Sequence, residues 1–253
     1  GKVQWSYPLD DAGTVPLTDG DGIYFADGKG GVYRLSAQGE IQWKISLGEG
    51  IDALRMVPAL TQSVLAVSTS SGNVWGILSG TGKVIWKYAS GQPFFSGILG
   101  IPGRAFLFLS RAPRAIRLHF LDLSGKELWR MDFPVEEDVK EVLWNSALAT
   151  NGKRVFFSVG STLYSVDLDG NFQFAQKMTG YISGILVGTK GLILSLAGKD
   201  AREIVLVDSQ KGEVRKSFSG EDWFPAPAIW VKEENMVVAG NSDGKFYFFT
   251  LSR

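Results

Sequence analysis

The chain of 253 residues contains no cysteine, which removes disulfides, thiolate zinc sites and cysteine nucleophiles together. It has a single histidine, His119, so a multi-histidine metal cluster is excluded and any Ser-His-Asp arrangement has one possible base. Charge of one sign is not in excess: 26 basic residues balance 26 acidic ones. No overall pull toward nucleic acid or an anionic membrane is therefore expected. No apolar run approaches the roughly 18 residues that span a bilayer, so no membrane insertion by this segment is expected. Helical periodicity is weak throughout, and no signal peptide precedes Gly1. The lack of cysteine by itself names no compartment.

What the sequence does have is repetition. "GKVQW" at Gly1 returns as "GEIQW" at Gly39, "GKVIW" at Gly82 and "GKELW" at Gly125, and more weakly as "GNFQF" at Gly170 and "GEVRK" at Gly212. The leading glycines are 38 to 45 residues apart. Each later copy follows a second phrase, such as "GGVYRLSAQ" from Gly30 or "STLYSVDLD" from Ser161, and a sixth, "GKFYFFTL" from Gly244, stands last. Earlier in each unit comes an apolar run such as "VLAVS" from Val64, preceded by a small-residue phrase such as "PAL" at Pro58. Each repeat of about 42 residues thus holds four short β-type segments divided by turn residues.

Four antiparallel strands per repeat of this length predict an all-β fold, a six-bladed β-propeller with strands a to d running outward from the axis. The small-residue phrase is strand a, where the blades crowd, and the glycine-led phrase is strand d. The last repeat has no d strand of its own, while the chain opens with an orphan one. Gly1–Trp5 is therefore expected to join the blade whose inner strands run from about Ala226 to Leu251. That would close the ring, spare a bare sheet edge and leave residues 1–253 as a single domain. Because the chain starts inside a repeat phrase, a targeting segment is expected ahead of Gly1.

"LDLSGKELW" at Leu121 and "ILSGTGKVIW" at Ile77 resemble the repeat of the pyrroloquinoline-quinone-like, quinoprotein-type propellers, and the resemblance runs along essentially the whole chain. It implies that Trp5, Trp43, Trp86 and Trp129 are docking tryptophans between neighbouring blades. Phe174 and Lys216 fill the same slot elsewhere, so those two junctions should pack differently. The family holds quinone-dependent dehydrogenases, typically eight-bladed with long insertions, and non-enzymatic members such as the outer-membrane assembly (BamB-like) propellers. With about six blades, no cysteine and short loops, the chain is more similar to the non-catalytic branch, which implies no cofactor.

Strand direction alternates within a blade, so the d-to-a and b-to-c loops share one rim, called the top. The d-to-a loops bring Arg55 and Met56, Phe94 and Phe95, Trp144, Tyr181, and Trp223 with Phe224 toward the mouth of the central channel. These groups either form a recognition surface, as aromatics and arginines do at binding hot spots, or plug the channel and bury themselves. The b-to-c loops add "SRAPRAIR", with Arg111, Arg114 and Arg117, and "AGKDAR", with Lys199 and Arg202. The loop arginines suit a carboxylate, a phosphate or an acidic partner strand. The plainer reading pairs them with Glu136, Glu137 and Asp138.

"DGDG" from Asp19 and "DLDG" from Asp167 lack the remaining ligands of a calcium loop and read as tight turns. "GKGG" from Gly28 reads as a hairpin, and His119 falls in the strand-c slot that holds Tyr33, Tyr164 and Tyr247 elsewhere, a packing position. No catalytic and no metal-binding residues are assigned. The expected function is an extracytoplasmic (periplasmic or cell-surface), non-enzymatic scaffold, a monomer that docks protein partners through its top rim and binds no nucleic acid. A small-ligand or sensor propeller is the alternative. A quinone enzyme would need polar groups converging on the axis, where mainly apolar ones fall.

Overall fold

The structure is a computed structural model that describes residues 1–53, 56–94, 96–135, 147–189, 191–198, 201–231 and 233–250. None of the described residues is helical. The chain divides into two compact units, Gly1–Pro134 and Val135–Arg253, each built of three antiparallel sheets.

In the first unit the sheets are β1 Leu17–Thr18, β2 Ile23–Ala26, β3 Gly31–Leu35 and β4 Ile41–Ser46; then β5 Ala59–Thr61, β6 Val64–Ser68, β7 Asn73–Leu78 and β8 Val84–Ala89; then β9 Leu99–Ile101, β10 Ala105–Ala112, β11 Ala115–Asp122 and β12 Glu127–Pro134. In the second unit they are β13 Leu148–Thr150, β14 Arg154–Val159, β15 Thr162–Asp167 and β16 Phe172–Lys177; then β17 Tyr181–Gly188, β18 Gly191–Ala197, β19 Glu203–Val207 and β20 Val214–Ser219; then the three strands β21 Ile229–Val231, β22 Met236–Gly240 and β23 Phe246–Thr250. Six such sheets are the blades of a six-bladed β-propeller, and each strand from β1 to β23 falls on or beside a segment predicted from the repeat.

Burial follows position in the sheet. The second strands are mainly apolar and buried, wholly buried in β6 and β18 and only half-buried in part of β22, while the fourth strands alternate, as in β8, because one face meets solvent. Small residues on the first strands are required where neighbouring sheets converge: a side chain on Gly184 of β17 would collide with Pro227 beside β21. All five four-stranded sheets carry a bulge at the same place, between Arg34 and Leu35, Gly76 and Ile77, Phe120 and Leu121, Ser165 and Val166, and Leu206 and Val207. A bulge there adds local twist and turns the outer strand.

The repeated glycine and aromatic form one inter-sheet device. Trp43 on β4 lies against Gly82 in the β7–β8 turn and donates its indole N–H to Ser79 O at 2.8 Å. Trp86 on β8 does the same at Gly125, donating to Leu123 O at 2.9 Å. Gly82 and Gly125 have φ of +71° and +80°, so a Cβ there would both strain the backbone and meet the ring. Phe174 lies against Gly212 in the same manner but has no N–H to donate. Lys216 instead places its ammonium over the Phe218 ring at 4.9 Å, and Trp129 stacks on Phe120 with ring centroids 4.7 Å apart.

The opening phrase behaves differently from expectation. Gly1–Trp5 forms no strand, and the sheet of β21–β23 has three strands rather than four. Trp5, expected against the C-terminal third, packs on the first sheet instead: its ring lies against Gly39 and its N–H donates to Ala37 O at 2.9 Å. The reason is the direction of the device, since a docking aromatic reaches the turn of the sheet that follows it in sequence. Tyr7 continues the contact, edge-on to Tyr33 at 5.9 Å. On β23, Phe246 and Phe248 are 73% and 64% exposed, whereas Val32 and Val74, at the place of Phe246 in the first two sheets, are buried.

Candidate functional site

In the first unit the rim is built around the β10–β11 hairpin. "SRAPRAIR" reads as a loop, yet the ladder runs through it, pairing Ser110 with Arg117, Arg111 with Ile116 and Ala112 with Ala115. Only Pro113 and Arg114 turn the chain. Ala112, Ala115 and Ile116 are buried, and that apolar hold overrides the turn-like composition. The hairpin is tied to the preceding loop by Arg111 N–H donating to Pro93 O at 3.2 Å and by the bridge between Phe94 and Ser110.

Phe94 is a core residue, edge-on to Phe108 at 4.8 Å, and Met56 joins the same cluster. At 5% exposed, the Phe94 side chain offers almost no surface to a partner. Arg117 makes a two-pronged ion pair with Asp132 on β12, at 2.5 and 2.7 Å. That bond holds the Asp132 carboxyl below its usual range and raises the guanidinium. Its acid is thus on the neighbouring strand. Glu136, Glu137 and Asp138, and the candidates Arg55, Phe95, Trp144 and Lys199, lie outside the described residues. Arg111 and Arg114 are exposed.

In the second unit, Phe224 is buried, edge-on to Tyr247 at 5.6 Å, and likewise offers almost no surface to a partner. Its neighbour Trp223 is 40% exposed, with its carbonyl fixed by Ser242 N–H at 3.0 Å. Tyr181, expected in a loop, opens β17 opposite Ala197 and is half-buried. Arg202 donates to Glu221 O at 2.8 Å, and Lys245 pairs with the Glu221 carboxylate and, at 3.1 Å, with Asp243. Trp223 is thus held among polar, mutually bonded neighbours with its indole accessible.

His119 is 1% exposed and sits at the centre of a relay. Its Nε2 lies 2.7 Å from Ser110 Oγ, and its Nδ1 lies 3.0 Å from Glu127 Oε1 and 3.1 Å from the Tyr88 hydroxyl. Tyr88 donates to the same Glu127 oxygen at 2.6 Å. Consistent with these contacts, Nδ1–H donates to Glu127, and Nε2 accepts from Ser110. Burial lowers the His119 pKa against the opposing pull of Glu127. The Glu127 carboxyl would rise on burial, but bonds from Tyr88 and His119 bring it below its usual range. The order Ser-His-Glu is that of a hydrolytic triad, but Ser110 and His119 are both sealed. The slot is a packing position, with Phe108 stacked at 4.8 Å.

Sequence reasoning missed Glu49, in the loop after β4. Its carboxylate receives Thr69 Oγ1 at 2.6 Å, Ser71 Oγ, Asn73 Nδ2 at 2.8 Å and Lys87 Nζ at 2.7 Å. Burial would raise its pKa, but the bonds from Asn73, Lys87, Ser71 and Thr69 hold it well below the usual carboxylate range. The three hydrogen-bonding residues in the β6–β7 turn were the available signal, but that turn composition does not repeat. Asp19 and Asp167 cap their own turns, Asp19 accepting from Asp21 and Gly22 N–H and Asp167 from Asp169 and Asn171 N–H.

Sheets of this order, joined by glycine-to-aromatic docking contacts, define a β-propeller. Residues 1–97 match the sequence model of the family described as outer membrane protein assembly factor BamB. Aligned over 98% of this chain and 76% of theirs, the coordinates of BamB from Moraxella catarrhalis superpose with a TM-score of 0.78 at 18% identity. The computationally designed protein Ika8 aligns over 95% of this chain and 71% of its own, with a TM-score of 0.72 at 15% identity. The quinohemoprotein alcohol dehydrogenase ADHIIG from Pseudomonas putida HK5 aligns over 93% of this chain but 52% of its own, with a TM-score of 0.70 at 14% identity. No curated protein matches the sequence significantly.

Proposed function

We propose that residues 1–253 act as one monomeric domain, a non-enzymatic scaffold outside the cytoplasm that holds a protein partner against its top rim. The observation that carries this reading is a contrast in exposure. The Ser110–His119–Glu127 relay, which has the chemistry of a catalytic centre, is closed to substrate, whereas Trp223 is presented to solvent on a fixed loop. An amphipathic indole on a rigid support is the kind of anchor that dominates protein interfaces. The match of residues 1–97 to an outer membrane protein assembly factor supports both the scaffold role and a periplasmic or outer-membrane setting. Among the described residues no helix is long and apolar enough to cross a membrane.

The likeness to a quinohemoprotein dehydrogenase raises the question of a quinone held by calcium. Among the described residues no three His, Asp or Glu side chains converge to hold a cation. The described residues do not fit that group.

The test is the triple variant with Phe95, Trp144 and Trp223 each changed to alanine. Partner capture from the cell envelope is expected to be abolished. Calorimetry is expected to show a single transition for parent and variant alike, with midpoints within about 3 °C, the shift that roughly 1 kcal/mol produces in a domain of this size. A collapsed midpoint would mean that the aromatics plug the channel, and two separate transitions would break the single-domain reading.

A further inference from the structure

We propose that the β10–β11 hairpin is the part of the rim that selects the partner, and that Arg111 and Arg114 bind carboxylates on an acidic protein segment. The proposal deepens the rim-docking reading and rests on it.

Three observations converge on this hairpin. The first is reach. Counted from the pair that holds His119 or its counterpart, the ladder continues for one pair in the first, second and sixth sheets and two in the fourth. In the third sheet it continues for four, as far as Ala112 and Ala115. At roughly 3.4 Å per residue, this ladder is about 7–10 Å longer than the ladders of those four sheets.

The second is stiffness. The base is gripped by buried Ala112 and Ala115 and by the Arg111 bond to Pro93 O. At the tip, Pro113 has a fixed φ and Arg114 sits at φ +55°. That left-handed conformation favours glycine or asparagine, and an arginine adopts it against a steric penalty.

The third is unspent charge. Arg117 is neutralised by Asp132, but the side chains of Arg111 and Arg114, both exposed residues, make no hydrogen bond or ion pair among the described residues.

The number and type of these groups choose the partner. Surfaces that bind anionic lipid electrostatically use clusters of about four to eight basic residues, and nucleic-acid sites neutralise several phosphates. Two arginines on a chain of zero net charge supply neither. A guanidinium does match a carboxylate fork, as Arg117 of this hairpin and Asp132 of β12 show. An extended segment with acidic side chains at alternate positions suits two cations on a stiff projection.

The experiment is fluorescence anisotropy at about 50 mM salt, where screening is weak. The probe is a labelled decapeptide of alternating Glu and Val. A Lys–Val decapeptide, phosphatidylglycerol vesicles and a single-stranded oligonucleotide serve as competitors. The parent is expected to bind the acidic peptide saturably and in preference to the others. Arg111→Gln with Arg114→Gln should weaken binding about tenfold, whereas Lys83→Gln with Lys126→Gln, which removes two charges from other turns, should not. Arg114→Gly should weaken binding while leaving the thermal midpoint unchanged or higher, because glycine relieves the backbone.

Equal binding by the double arginine variant, no binding by the parent, or preference for vesicles or oligonucleotide would overturn the proposal. Partner capture that survives arginine removal but not the aromatic triple variant would sink this proposal alone. Arginine-dependent peptide binding with capture unaffected by the triple variant would count against the aromatic rim instead.

Discussion

At the scale of single residues, the stability of the repeat rests on pairing a left-handed glycine with an aromatic from the preceding sheet. Both members could be read from the phrase "GKVIW", but the direction of the contact could not. The partner of Trp43 lies about 40 residues away, and periodicity alone does not say which neighbouring sheet it faces. That is why Trp5, a docking tryptophan as expected, meets the first sheet rather than the C-terminal third. Trp43→Phe keeps most of the packing and loses the bond to Ser79 O, a cost of about 1 kcal/mol. Trp43→Ala should cost roughly 3–5 kcal/mol, and Trp5→Ala distinctly less, since that ring is 37% exposed. Urea unfolding gives the ranking; an equal loss at Trp5 and Trp43 would contradict the docking account. The histidine slot was legible as a packing position from its alignment with Tyr33, Tyr164 and Tyr247. Its hydrogen-bond partners were not, because Ser110 and Glu127 come from adjacent strands whose register only the folded sheet sets.

At the scale of elements, nearly every strand was legible because each repeat writes its four segments anew. Two departures have local causes. Gly1–Trp5 carries the outer-strand phrase but forms no ladder, and of its side chains Trp5 meets the first sheet, where Tyr7 continues the contact. Ser110–Arg117 has the composition of a loop but the burial pattern of a strand, and burial wins. The loop after β4 also fastens one sheet to the next through Glu49. Its folded pKa is lowered, so its stabilisation is present above the ordinary glutamate value near 4.5 and is lost as pH falls toward the folded value. Glu49→Gln should destabilise the first unit by about 1–3 kcal/mol at neutral pH and flatten the loss of stability below pH 4.5. A variant whose acid unfolding profile overlays the parent's would show that the cluster contributes nothing.

At the scale of the whole molecule, the repeat count, the six sheets and the likeness to BamB coordinates over 98% of the chain agree on a propeller. The features that do not repeat are an exposed indole at Trp223, a β10–β11 ladder longer than those of the first, second, fourth and sixth sheets, and a histidine buried among hydrogen-bond partners. The sequence did not separate the aromatics expected at the mouth into buried and exposed ones. Phe94 and Phe224 turn inward while Trp223 turns outward, a difference of adjacent positions in a loop that no repeat pattern specifies. The central claim is that the rim, and not an enclosed reaction centre, does the protein's work. Photo-crosslinking in the native cell envelope tests it most directly, with a photoreactive amino acid placed at Trp223 or, as control, at the exposed outer-strand residue Val214. The account predicts one discrete protein adduct from position 223 and none from 214. The same adducts from both positions, or none from position 223, would contradict it.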